Sequence, residues 1–338
     1  MAEHRTVVIT GASRGLGFAS AKHLYGLGWR VVAAMRSPET GLALLREAVG
    51  AAEEDDRLIG VQLDLTDPGS ISTAAAIIEA TAGVPEVLVH NAGISAAGMV
   101  EEAPMELWER MFATHVFGPV ALTKALLPSM RAAGRGRIVL VSSAGGVRGM
   151  PATAPYSSAK GALEGWGESL AAEVAPFGLG VTILVTGTYD TEIITDAGTT
   201  DDRDFDGPYA RLHGSMDSRG RYAMRFARPP ERFAESLAKA VDDRGPFCKH
   251  GVGPDAQMLL LFNRILPGAA MHQMLRVALG LPRHGALRGG MVPLSVSQRA
   301  LVRAATVLPA PVMQRLMTLA MKFGPKAAHE NQEATNHG

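Results

Sequence analysis

At 338 residues, 47% apolar and 20% charged, the chain has the composition of a globular protein that buries one large core, or one core plus a small appendage. Lysine plus arginine balances aspartate plus glutamate at 33 each, which removes the positive field expected of a nucleic-acid binder. The balance is uneven, because residues 1–243 carry 22 basic and 30 acidic side chains and residues 244–338 carry 11 and 3. An acidic body precedes a basic tail. The single cysteine, Cys248, excludes an internal disulfide framework and fits a reducing compartment. No histidine and acid arrangement is evident around it in the sequence, which argues against a nucleophile. The start "MAEHR" runs directly into a strand, and no stretch reaches the roughly 18 uninterrupted apolar residues of a membrane span, so a cytoplasmic location is expected.

Six short apolar runs read as strands in chain order: "TVVIT" (6–10), "RVVAAM" (30–35), "LIGVQLD" (58–64), "EVLVH" (86–90), "RIVLVS" (137–142) and "GVTILV" (180–185). Each of the first five leads into a stretch of helical period. Runs buried on both faces and separated by helices predict a doubly wound, Rossmann-type α/β fold: a parallel sheet with helices on both faces. Residues 187–229 are rich in Gly, Asp, Thr and Arg with little periodicity, which predicts an irregular functional loop. The expected organisation is one α/β domain over 1–243, with the loop at 188–229 inside it, and a basic, largely helical C-terminal extension over 244–338.

"TGASRGLG" lies where the first strand turns into the first helix. Gly11, Gly15 and Gly17 permit a tight turn, close approach of a pyrophosphate and packing of helix on strand, with Ser13 and Leu16 in the same turn. The spacing departs from G-x-G-x-x-G, and the bland alternative is a mere tight turn. After the second strand, "AAMRSPE" has Arg36 where NAD-binding folds often carry an acid, and Arg14 adds a second positive charge. Two guanidiniums and no acid favour a 2'-phosphate, hence NADP(H) over NAD(H); the alternative is a pair of solvated surface arginines. Asp64 and Leu65 in "LDLTD", and Asn91, Ala92 and Gly93 in "HNAG", end the third and fourth strands at the edge that faces a ligand crevice. Asp64 could accept from an adenine amino group and the "NAG" turn could let backbone approach a ribose, or both could be cap and turn residues.

In "YSSAK", Tyr156 and Lys160 are four apart and share one helix face. Together with "TGASRGLG", "HNAG" and Ser143 thirteen residues before the tyrosine, this segment resembles the short-chain dehydrogenase/reductase family over roughly residues 5–240, nearest the steroid and retinol dehydrogenase branch. The resemblance implies that Tyr156 exchanges a proton with the substrate oxygen, that Lys160 holds the nicotinamide ribose, and that Ser143 hydrogen-bonds the reacting oxygen. A tyrosine titrates near 10, so the role requires a lowered value, which a nearby lysine and an oxidised nicotinamide would favour. Two departures stand out. His115 in "FATHVFG" replaces an asparagine that supports the family's proton relay; it either keeps the relay and makes it pH-sensitive or is packed and weakens it. In "LVTGTYDT", Thr186 replaces a common proline and removes a fixed φ, while Gly187 and Thr191 match, with Thr191 a contact to the cofactor.

Met150 and Tyr189 are candidate pocket residues, or core. Beyond the common core, Ser295 and Gln298 have capping-box spacing, and "PVMQRLMTLAMKFG" (311–324) reads as a basic amphipathic helix that lies on a membrane surface or packs on protein. The expected function is interconversion of an apolar secondary alcohol and ketone, steroid-, retinoid- or lipid-like, with no metal and no nucleic acid. The alternatives are a polyketide or fatty-acyl ketoreductase, and a non-catalytic NADP(H)-binding regulator or membrane-surface scaffold. The resemblance also implies that 1–243 is a dinucleotide-binding catalytic domain whose loop 188–229 covers the substrate, and that the protein forms a homodimer or homotetramer through the Tyr156 helix.

Overall fold

The computed structural model describes residues 4–191 and 199–287. Its centre is a seven-stranded parallel sheet, ordered β3-β2-β1-β4-β6-β7-β9. The strands are β1 (Thr6–Thr10), β2 (Arg30–Met35), β3 (Leu58–Gln62), β4 (Val87–His90), β6 (Gly136–Ser143), β7 (Leu179–Thr186) and β9 (Phe247–Val252); a separate two-stranded pair joins β5 (Ser95–Ala97) to β8 (Thr199–Asp201). The chain winds outward from β1 to β3 and then returns to β4 on the other side of β1. That reversal opens a crevice at the carboxyl ends of β1 and β4.

Alternate residues of each strand feed two cores. Val8, Val32 and Leu88 pack with Ile71 and Ile78 of α3 (Pro68–Ala82), Leu122 and Leu126 of α5 (Gly118–Ala133) and Leu163 and Leu170 of α7 (Ala154–Val174). Val7, Ile9, Val31 and Val89 pack with Leu24 of α1 (Gly15–Gly26), Leu45 of α2 (Pro38–Val49) and Phe233 and Leu237 of α9 (Pro230–Val241). Both faces are therefore covered, which is why the strands read as continuous apolar runs. Each such fully buried side chain contributes roughly 1.5–3 kcal/mol. The expected α/β class and the six expected strands are present in this sheet.

Three features differ from expectation. β9 pairs with β7 in register from Phe247 opposite Val181 to Val252 opposite Thr186, so the chain after residue 244 begins by completing the sheet. Its sequence, FCKHGV, lacks an apolar run because it is an edge strand with little of its surface buried. The compact units divide after Leu275. Residues 188–229 include β8 and a fifteen-residue helix, α8 (Ala210–Met224), whose polar sequence buries only His213 and so lacks an apolar stripe. Finally, α4 (Met105–Phe112) runs into α5 through a five-residue π-helical turn, Ala113–Phe117.

No helix among the described residues is long and apolar enough to cross a membrane. The capping box at Ser295 and Gln298 and the amphipathic segment 311–324 lie outside the described residues. Two further helices, α10 (Pro254–Ile265) and α11 (Gly268–Ala278), follow β9.

Candidate active site

The crevice is built first from close backbone approach. Gly11 ends β1 at φ +69°, and a Cβ there would stand 2.7 Å from Ala92 Cα. Gly17, in the first turns of α1, is tighter: a Cβ would meet Gly11 O at 2.2 Å and Asn91 Nδ2 at 2.5 Å. Asn91 locks the two strand ends, donating from Nδ2 to Thr10 O at 3.0 Å and Gly11 O at 3.3 Å, while Thr10 Oγ1 accepts from the amides of Asn91 and Ala92 at 3.0 Å each. Arg14, at the cap of α1, supplies no side-chain cap, so the first amides of that helix remain available to an anion.

These elements enclose a cleft of about 290 Å³. Of the expected cofactor residues, Gly11, Ser13, Arg14, Gly15, Leu16, Arg36, Asp64, Leu65, Asn91, Ala92, Gly93 and Thr191 line it, together with Tyr156 and Lys160. Gly17 and Gly187 do not. Gly17 serves helix–strand contact, and Gly187 lies against Asp255, whose carboxylate would be 1.9 Å from a Cβ and accepts from Thr188 N at 2.7 Å. Thr191 sits against Gly15, 3.5 Å from where its Cβ would be. The Asp64 carboxylate accepts from Thr66 N at 2.9 Å and Thr66 Oγ1 at 2.7 Å, and these bonds, with Arg36 nearby, hold it below the ordinary carboxylate range. Asp64 is thus both a turn residue and a wall of the cleft. A Gly-rich turn, an uncapped helix start and two guanidiniums make a cradle whose donors fit a dinucleotide.

Of the expected catalytic residues, Tyr156 and Lys160 line this cleft, whereas Ser143 lies outside its lining. Ser143 closes β6, accepts from Gly145 N at 3.3 Å and favours the Tyr156 phenolate. Lys160, one turn on from Tyr156 along α7, is 5% exposed; it donates to Val141 O at 2.7 Å and sits 5.8 Å from the Tyr156 ring centroid. Burial lowers the lysine to about 8, against an opposing pull from Glu164. Burial also raises the Tyr156 phenol, with the Ser143 hydroxyl opposing it. The expected lowering of the phenol is therefore absent from the protein alone, where desolvation outweighs the neighbours.

His115 is 1% exposed and does not line the cleft. Its Nε2 donates to Ile94 O at 2.9 Å, its ring packs beneath Gly93, and Nδ1 has no hydrogen-bond partner. Burial and the Lys160 charge hold it well below its ordinary value, so it is neutral near pH 7. The pH-sensitive option does not hold for this ring. Thr186, in place of the proline, donates from Oγ1 to Ser142 O at 2.8 Å and so replaces a φ restraint with a cross-strand bond.

Tyr189 belongs to the core, edge-on to Phe233, and Met150 lies outside the cleft lining. Ile94, Arg110 and Thr114 line the cleft without having been foreseen. Arg110 and Thr114 lie four apart where α4 enters the π turn, a spacing with no signal of its own. Away from the cleft, Cys248 does have neighbours: His250 Nε2 lies 2.8 Å from its sulfur, and Asp243 completes a group whose ligand-type atoms lie within 4.8 Å of one another. That corrects the expectation of no histidine and acid around it. Burial and the Asp243 charge push the thiol up, so the protonated form is favoured.

A family model described as short chain dehydrogenase matches residues 5–202. The chain belongs to the short chain dehydrogenase family. It is an oxidoreductase, and the family's nicotinamide cofactor is the group the cradle suits. The uncharacterized oxidoreductase YusZ of Bacillus subtilis strain 168 is 32% identical over 80% of this chain and 97% of its own length. The 3-ketodihydrosphingosine reductase of Bacteroides thetaiotaomicron is also 32% identical, over 80% of this chain and 96% of its own length. Among solved structures, a short-chain dehydrogenase from Streptomyces avermitilis superposes with a TM-score of 0.70 at 33% identity, covering 83% of this chain and all of that one. The short chain dehydrogenase match ends before α8 and β9, so those elements lie outside it.

Proposed function

We propose that the protein is an NADP(H)-dependent carbonyl reductase or alcohol dehydrogenase acting on an apolar secondary alcohol or ketone. The observation that carries this reading is the joint placement of Tyr156, Lys160 and the glycine turn in one cleft. Bound there, a nicotinamide would supply or take the hydride. Tyr156 Oη passes a proton to the substrate oxygen in reduction and removes it in oxidation. Ser143 Oγ hydrogen-bonds the same oxygen, and the Lys160 ammonium favours the phenolate.

Arg14 and Arg36 in the cleft wall support the phosphorylated cofactor. A lipid-like ketone is supported by the similarity to a relative named as a 3-ketodihydrosphingosine reductase. The resemblance supports assembly as a homodimer or homotetramer through α7.

The test is nicotinamide absorbance with purified protein, NADPH or NADH, and a panel of apolar ketones, run alongside the matching alcohols with the oxidised cofactors. Turnover with NADPH that Tyr156→Phe abolishes is expected, and Arg36→Ala should raise KM for NADPH about tenfold while sparing NADH. Turnover that survives Tyr156→Phe would overturn the mechanism. Equal use of both cofactors, unaffected by Arg36→Ala, would overturn the NADP(H) preference.

A further inference from the structure

Tyr156, Lys160 and Glu164 recur every four residues along α7 and so occupy one face in successive turns. Glu164 is only 4% exposed. A polar group in such a place needs partners in place of its water. It has two: Oε1 accepts from Ser142 Oγ at 2.5 Å, and Oε2 lies 2.8 Å from Lys249 Nζ. Lys249 comes from β9, beyond residues 5–202 that match the family model, and its ammonium also reaches Glu168 at 3.2 Å.

The inner end of the cluster is buried, while Lys249 and Glu168 reach solvent. A Cβ on Gly146 would stand 2.7 Å from both Glu164 Oε1 and Ser142 Oγ and 3.0 Å from Lys160 Cβ, so α6 (Ala144–Val147) closes directly over it. A row of groups thus runs from the cleft outward: Tyr156, Lys160, Glu164, Lys249, Glu168. Among the described residues, Lys160 donates to a neutral carbonyl, that of Val141, and the other titratable ring facing it, His115 from the π turn, is uncharged. Glu164 is the anion that counters the burial of the lysine.

We propose that Glu164, clamped by Ser142 and Lys249, is a positioning residue for the reaction, acting through Lys160 to keep its ammonium charged beneath Tyr156. The inference rests on the catalytic reading of Tyr156 and Lys160 given above. Lys249 matters because its ammonium pins Glu164 Oε2. Without it, Glu164 Oε2 loses the counter-charge that holds it at 2.8 Å, and only Ser142 is left to fix the carboxylate beside Lys160.

The sign follows from the order of the groups. Removing the charge at 164 lets Lys160 lose its proton at lower pH, a neutral lysine no longer helps the phenolate, and Tyr156 then holds its proton to higher pH. Alcohol oxidation needs the phenolate as base, so the acid limb of its pH profile moves upward.

The experiment is the pH dependence of kcat/KM for oxidation of the best alcohol in the panel, with thermal melts for every variant. Glu164→Gln, which keeps the shape and a partner for Ser142, should move the acid limb up by roughly one pH unit without a matching change in KM for the dinucleotide. Glu164→Asp should recover part of the shift. Lys249→Met should move the limb the same way, and should add nothing in the Glu164→Gln background. A Glu164→Gln protein that melts lower while its limb stays in place would overturn the proposal, since that is a structural role only. An additive Lys249→Met effect would remove Lys249 from the chain. Tyr156→Phe and Lys160→Met run in parallel: if either turns over like the wild type, the catalytic reading itself fails, and the two failures are told apart.

Discussion

The His115 ring stands edge-on to the Tyr156 ring, with centroids 5.4 Å apart and planes at 89°. The π turn places it there, beneath Gly93 and Ile94, where the family carries an asparagine. Because the ring is neutral near pH 7, its contribution is packing and orientation. His115→Asn should therefore lower kcat by loosening Tyr156, at a stability cost of about 0.5–1.5 kcal/mol for the lost ring contact. Its pH profile between 6 and 8, roughly around the ordinary histidine range, should match that of the wild type. Loss of a limb in that window would show that His115 titrates during turnover.

Thr186 joins β7 to β6 through its bond to Ser142 O, the carbonyl of the same serine whose hydroxyl holds Glu164. Thr186→Val keeps the branched shape and deletes only the hydroxyl. A loss of about 1 kcal/mol is expected, read as a fall in Tm of roughly 2–4 °C. An unchanged Tm would mean that the cross-strand bond adds nothing to stability.

Gly17 has no room for a methyl group, because its neighbour is the carbonyl oxygen of Gly11 rather than the end of a flexible side chain. Gly17→Ala should weaken dinucleotide binding by about tenfold or more, since the glycine turn must move to admit the Cβ. Fluorescence titration with NADPH measures this directly, and wild-type affinity would contradict the packing described here.

His90 is buried at the end of β4, bonded through Nε2 to Thr123 Oγ1 at 2.8 Å, and burial lowers it to about 3. The folded value lies below the unfolded one, so the unfolded chain binds the extra proton. The stability contribution is fully present above roughly pH 6.5 and is lost as pH falls toward the folded value, at about 1.4 kcal/mol per pH unit. Denaturant melts of wild type and His90→Gln between those limits should show the wild type losing its advantage with acid. Parallel curves would mean that His90 does not couple protonation to folding.

Much of the site could be read locally. Gly11, Gly15 and Gly17 announce a tight turn, and Tyr156 and Lys160 share a helix face by spacing alone, because both signals depend on neighbours a few residues apart. Glu164 carries the same spacing signal, yet a glutamate four residues after a lysine is usually a solvated helix pair. Only its burial against Ser142 and Lys249 distinguishes it.

The sequence by itself determined the alternation of apolar strand and helix, hence the doubly wound class, because burial on both faces of a parallel sheet leaves a periodic trace. The tertiary structure alone decided that Lys249, 85 residues after Glu164, completes its ion pair, that Asp243 and His250 gather beside Cys248, and that Arg110 and Thr114 wall the cleft. Each depends on which strands become neighbours and how far a helix turns before it reaches them. Such contacts leave no period in the chain, since the partners are set by the closing of the whole sheet and not by their own surroundings in sequence.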